Sequence, residues 1–175
     1  MTRIRLRPVK EADLAALAAN DSREADPWNW FRHTSAEGLR RHFAQDGMIS
    51  EETGTLAVET PDGALAGVVS WNPVQHGPSS ACRAFNIGIS LLPDHRGHGY
   101  GAAAQRALAE YLFATMLIER IEAQTDVENI AEQRALERAG FTREGVLRRT
   151  QFHAGHWRDT VIYSVLRADV SLDEF

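Results

Sequence analysis

Arg96-Gly97-His98-Gly99-Tyr100-Gly101 decides how this chain is read. Before it runs Arg83 to Leu92, rich in β-forming residues and closed by Pro93. After it runs Ala102 to Met116, rich in helix formers, with Leu108, Tyr111, Leu112 and Thr115 predicted along one face. A turn between strand and helix aims its own N–H groups and the first unsatisfied N–H groups of the helix at one point, which is how backbone holds a pyrophosphate. Glycines permit close approach of the main chain and accept dihedrals that L-residues resist, and Arg96 adds a charge. An ordinary glycine-rich turn is the plain alternative, but the position between strand and helix weighs against it.

Two other phosphate motifs fit less well. Gly97, Gly99 and Ala102 nominally match a dinucleotide fingerprint, but that motif follows the first strand of a parallel unit, and here hairpins come first. The lysine of a nucleoside-triphosphatase phosphate loop is absent from the segment.

Working outward, Arg3 to Arg7 alternates as a half-buried strand that Pro8 ends, and Glu11 to Ala19 has helical spacing. Ser35 caps a second predicted helix reaching Gly47. Between the helices, Asp26-Pro27-Trp28-Asn29-Trp30-Phe31 reads as an aromatic loop that either plugs the core or walls a pocket. Thr55 to Thr60 and Ala64 to Trp71 form a hairpin around Pro61-Asp62-Gly63, and a polar loop holding Pro73, Gly77 and Pro78 follows. Beyond the central helix, Arg120 to Thr125 is extended, and Ile130 to Ala139 is helical and stopped by Gly140. Thr142 to Phe152 and Trp157 to Leu166 are strands joined at His153-Ala154-Gly155-His156. The expected architecture is α+β: one domain over residues 1–175, with a mixed, largely antiparallel sheet and helices on both faces.

Composition limits the functions. The chain has 43% hydrophobic and 25% charged residues, within the globular range, and a net charge of −5, which disfavours general nucleic-acid binding. No apolar run approaches a bilayer span and the N-terminus lacks an apolar signal core, so no membrane role is expected. Cys82 is the only cysteine, which suits a reducing cytoplasm and excludes an intrachain disulfide. His153 and His156 flank a predicted turn without an evident third ligand, and no metal is expected.

The chain resembles the GCN5-related N-acetyltransferases, whose pyrophosphate loop has Arg or Gln, two residues, Gly, one residue, then Gly or Ala; Arg96, Gly99 and Gly101 match. Thr125-Asp126-Val127-Glu128-Asn129 through Ala139-Gly140-Phe141 is similar to the ribosomal-protein alanine acetyltransferase (RimJ/RimL-like) branch. So are Glu144-Gly145, Gly155-His156-Trp157-Arg158-Asp159 and Tyr163. The resemblance implies that fold from Ile4 to Leu166, acetyl-CoA as cosubstrate, direct attack by a primary amine on a small molecule or a peptide N-terminus, and the homodimer common in similar proteins. A non-catalytic acyl-CoA-binding module is the second reading, and nicotinamide-dependent redox chemistry a distant third.

By the same resemblance the strand before the loop splays, placing the carbonyl-binding N–H within Gly88 to Leu91, at Ile89. Ile89, Leu91, Arg96, Gly97, His98, Gly99, Tyr100, Gly101, Ala102 and Asn129 are then the cofactor-binding positions. Asn129 is equally suited to cap a helix. Glu132 stands where the branch has a serine proposed as the acid, and Leu136 falls where other members have a tyrosine. Asn86 and Gln151 stand where relatives carry a basic carboxylate, leaving Glu132, Glu144, His153 and Asp159 as candidates for acid–base work. Ile89, Asn129 and Glu132 are the expected catalytic positions. Trp28, Trp30 and Phe31 are expected on the acceptor side.

Overall fold

The computed structural model describes residues 3–31 and 35–172. Its strands are β1 (Arg5–Pro8), β2 (Gly54–Glu59), β3 (Leu65–Gln75), β4 (Arg83–Leu91), β5 (Arg120–Asp126), β6 (Thr142–His153) and β7 (His156–Leu166). Its α-helices are α1 (Leu14–Asn20), α2 (Ala36–Asp46), α3 (Tyr100–Thr115) and α4 (Ile130–Ala139). The strands form one sheet in the order β1-β2-β3-β4-β5-β7-β6, in which β4 and β5 pair parallel and the other neighbours antiparallel.

Side-chain alternation gives the sheet two apolar faces. On β2, Leu56 and Val58 join the main core with α3 and α4, while Ala57 between them faces a smaller cluster with Leu14, Met48, Leu17, Leu39 and Phe43. On β4, Phe85 and Ile87 lie in the main core and Ile89 and Leu91 pack against it; alternation therefore sends Asn86, Gly88 and Ser90 to the other face, toward α1 and α2.

Helix ends follow local chemistry. Ser35 Oγ accepts the Gly38 N–H at 2.9 Å to cap α2, and Gly47 ends it in the left-handed region. Asn129 Oδ1 accepts the Glu132 N–H at 3.3 Å to cap α4.

Several expectations shift. The run from Glu11 opens as a 3-10 turn and becomes α-helical only at Leu14. The strand through Trp71 continues through Pro73 to Gln75; Gly54 is opposite Trp71, so Pro73 lies beyond the last β2 partner and pairs only with Phe85 of β4. The central helix starts at Tyr100, taking Tyr100 and Gly101 into its first turn, and its buried residues are Ala104, Gln105, Leu108, Ala109, Leu112 and Phe113. Thr115 is exposed and its hydroxyl donates to the Tyr111 carbonyl. No helix among the described residues is long and apolar enough to cross a membrane.

Candidate active site

The parallel ladder between β4 and β5 is short. Phe85, Asn86 and Ile87 pair with Ile121, Glu122 and Ala123, and pairing stops there. Gly88 to Leu91 then parts from Gln124 to Asp126, leaving a slot of about 90 Å³ that Asn129, Glu132, Gln151, Trp28 and Phe31 also line. In an antiparallel ladder a residue's N–H and C=O point to the same side. The Ile89 carbonyl accepts from Asn29 Nδ2 at 3.0 Å, and the Leu91 carbonyl accepts from Arg96 Nη2 at 2.7 Å. The main-chain groups of Ile89 and Leu91 therefore face away from β3, Ile89 beside the slot and Leu91 beside the glycine turn.

The slot opens into a cleft of about 450 Å³ whose walls include Ile89, Leu91, Arg96, Gly97, Gly99, Gly101, Ala102, Asn129 and Glu132. Gly97 and Gly99 have φ of +77° and +80°, a region that penalises any Cβ. Gly99 occupies the N-cap position of α3 without a side-chain cap, so the orphan N–H groups of the first turn open toward the cleft. Arg96 is less free than expected: Nε and Nη2 both donate to the Leu91 carbonyl, closing the turn onto the end of β4. His98 and Tyr100 stack on each other at 5.8 Å, and their side chains are not cleft walls.

The cleft has a wall that the sequence reading missed. Ala131, Arg134, Ala135 and Arg138 form a stripe on α4 facing the glycine turn. Its spacing of three and four is a helical face, and two cations beside two alanines at that spacing were the available signal. Asp26, Pro27 and Asn29 complete the cleft. Asp26 precedes a proline, as turn residues do, but nothing local announces that it meets Ser90.

The aromatic loop walls pockets. Trp28 lines the cleft and the slot, Phe31 the slot, and Trp30 a separate cavity under α1 and α2. Trp28 and Phe31 are 36% and 49% exposed, which excludes a plug. His153 holds the loop, with Nε2 2.9 Å from the Trp30 carbonyl and its ring edge-on to Phe31.

Of the four acid–base candidates only Glu132 lines the cleft. Burial pushes its carboxyl up to about 8; a hydrogen bond with Gln105 partly offsets this and the charge of Asp26 adds to it. Glu144 instead forms a two-bond pair with Arg120 and accepts from Ser164, which hold it down at about 2. Asp159 accepts the Arg149 N–H at 2.8 Å, supporting a positive-φ residue in β6. Asn129 has both amide atoms engaged, Oδ1 on α4 and Nδ2 donating to Thr125 Oγ1. Asn86 Oδ1 is buried without a partner.

A mixed sheet that opens beside a glycine turn and a helix N-terminus defines a protein with room for a phosphorylated ligand next to a gap between strands. The sequence matches the acetyltransferase (GNAT) domain over residues 3–142. It is 30% identical over 138 residues to "Probable N-acetyltransferase YjcK" of Bacillus subtilis, covering 77% of this chain and 75% of that protein. The fold matches a spermidine N-acetyltransferase from Vibrio cholerae, in complex with CoA and spermine, with a TM-score of 0.80 at 22% identity, covering 95% and 96% of the two chains. It also matches Mycobacterium smegmatis RimJ in complex with CoA-disulfide, with a TM-score of 0.77 at 24% identity, covering 95% and 83%. The chain belongs to the GNAT acetyltransferase family. It is an N-acetyltransferase that takes its acetyl group from acetyl-CoA and delivers it to an amine.

Proposed function

We propose that the chain acetylates a primary amine by direct attack, with Ile89, the glycine turn and Glu132 dividing the work. The observation that carries this is the slot between β4 and β5: one lip offers outward main-chain groups and the other a carboxyl that burial keeps protonated at neutral pH.

The turn from Gly97 to Ala102 fits a diphosphate, since its glycines leave room and its helix terminus supplies N–H donors. Arg134 and Arg138 add positive charge on the opposite wall. The Ile89 N–H binds the thioester carbonyl oxygen and stabilises the negative charge that develops as the amine attacks. Glu132 then gives its proton to the departing sulfur. Holding both reactants in one slot contributes much of the rate, because geometry replaces a bimolecular encounter. Trp28, Trp30 and Phe31 form the acceptor side, and a lone cysteine fits a protein working in the cytoplasm.

Calorimetric titration with acetyl-CoA, paired with thiol release against N-terminal peptides and polyamines, tests this reading. Binding with thiol release for one acceptor class is expected. Binding with no release across the panel would instead favour a module that only holds acyl-CoA.

A further inference from the structure

The acceptor side can be taken further; this step rests on the acetyltransferase reading. Under α1 and α2, against β3 and β4, lies a cavity of about 270 Å³. Its wall is apolar at Leu17, Leu39, Met48 and Val68, carries hydroxyls at Ser35, Thr55 and Ser70, and holds the polar groups of Asn20 and Asp26. Asp26 and Asn29 line both this cavity and the cofactor cleft, so the two spaces meet at the loop.

Both polar groups are buried, Asp26 and Asn20 each 7% exposed. A buried carboxylate is costly unless donors surround it. Asp26 Oδ2 accepts from Ser90 Oγ at 2.5 Å and Asn29 Nδ2 at 2.9 Å, and Ser90 Oγ accepts from Asn20 Nδ2 at 3.0 Å. Oδ1 stands 3.8 Å from Arg96 Nη2, too far for a hydrogen bond. Asn20 Oδ1 is buried with no partner at all. Such an orphan acceptor is rare in folded proteins. Two acceptor oxygens set in an apolar wall select a ligand that brings N–H donors on a hydrocarbon arm. The volume lies at the small end of ligand sites, suited to a metabolite or one side chain.

We propose that Asp26 binds the acceptor's ammonium and takes its first proton, while the cavity holds the acceptor's arm. The substrate class is then a primary alkylamine with a hydrocarbon stretch and a second N–H or O–H donor for Asn20. R–NH₃⁺ passes one proton to the Asp26 carboxylate, and the freed lone pair forms the N–C bond as the C–S bond breaks. Glu132 protonates the sulfur, the extra proton on the amide nitrogen and that on Asp26 leave to water, and Glu132 regains one from water. One proton is released per turnover. Among the described residues, the charged and titratable groups facing Asp26 are Arg96 before α3, Glu132 on α4, and Asp21 after α1, which lines the same cavity.

The test titrates hexylamine and hexan-1-ol into the full chain saturated with CoA, with melting temperature and CoA affinity as folding checks. Wild type is expected to bind the amine at least about tenfold more tightly than the alcohol. Asp26→Asn is expected to erase that preference, and Leu39→Trp, which fills the cavity and leaves Asp26 in place, to weaken both ligands. In turnover, Asp26→Asn is expected to lower kcat/KM for the amine at least about tenfold while acetyl-CoA affinity is kept. An undiminished amine preference in Asp26→Asn, or undiminished binding in Leu39→Trp, overturns the proposal. Thiol release that Asp26→Asn sustains at the wild-type rate overturns it too and leaves the acetyltransferase reading standing. Absence of thiol release from wild type, with the amine preference still dependent on Asp26, overturns the reading and supports the site.

Discussion

Glu132 shows how place overrides residue type. It sits in the first turn of α4, where a helix terminus favours a negative charge, yet burial wins and its carboxyl rises to about 8. As an acid it must be protonated, so kcat should fall as pH rises through about 8. Glu132→Gln should remove that limb and lower kcat by about 100-fold, with acetyl-CoA affinity little changed. Stability carries the opposite burden. Because the folded carboxyl holds a proton that the unfolded chain releases above about 4.5, wild-type stability should decline as pH rises from there to about 8. Glu132→Gln should therefore be the more stable protein at pH 8, by on the order of 2 kcal/mol in denaturant melts. Asn129→Ala should cost about 1 kcal/mol through the lost cap, a thermal-melt measurement. The sequence announced Glu132 only as a departure from a serine; its raised proton affinity comes from burial and from the field of Asp26, against the pull of the Gln105 hydrogen bond, and no local pattern encodes these.

At the scale of elements, strand, turn and helix around residue 96 were legible because glycine placement and helix-former composition are local signals. The cap at Ser35 and the stop at Gly140 were legible for the same reason. Pro73 was misread because a proline normally ends a strand, and only the retreat of β2 makes its place tolerable. The buried face of α3 was legible at Leu108, Tyr111 and Leu112 and failed only at Thr115, which continues the spacing at the helix's last residue yet is exposed. Gly101 separates binding from folding. A Cβ there would meet Leu91, Ala135 and Ile89 at 3.7 to 3.9 Å, ordinary contact distances, while helix propensity improves by about 1 kcal/mol. Gly101→Ala should thus melt no lower than wild type, yet bind acetyl-CoA about tenfold more weakly by calorimetry, because the methyl narrows the cleft beside the first helical turn.

For the whole molecule, the slot exists because one parallel pair interrupts an antiparallel sheet and stops after three residues. Its walls come from segments far apart in sequence: Trp28 to Phe31, Ile87 to Ile89, Ala123 to Glu132, and Gln151. Resemblance to a family supplied the slot in advance; the residues alone gave the order of elements but not where β4 leaves β5. Ligand binding to the folded state should raise stability by about 2.7 kcal/mol at one hundred times Kd, seen as a melting shift with acetyl-CoA. Backbone amide NMR with CoA and then acetyl-CoA tests the central claim most directly. Both ligands should move the amides of Gly97 to Ala102, and only acetyl-CoA, which has the carbonyl, should move Ile89. An Ile89 amide that responds identically to both, or a turn that responds to neither, would contradict the account.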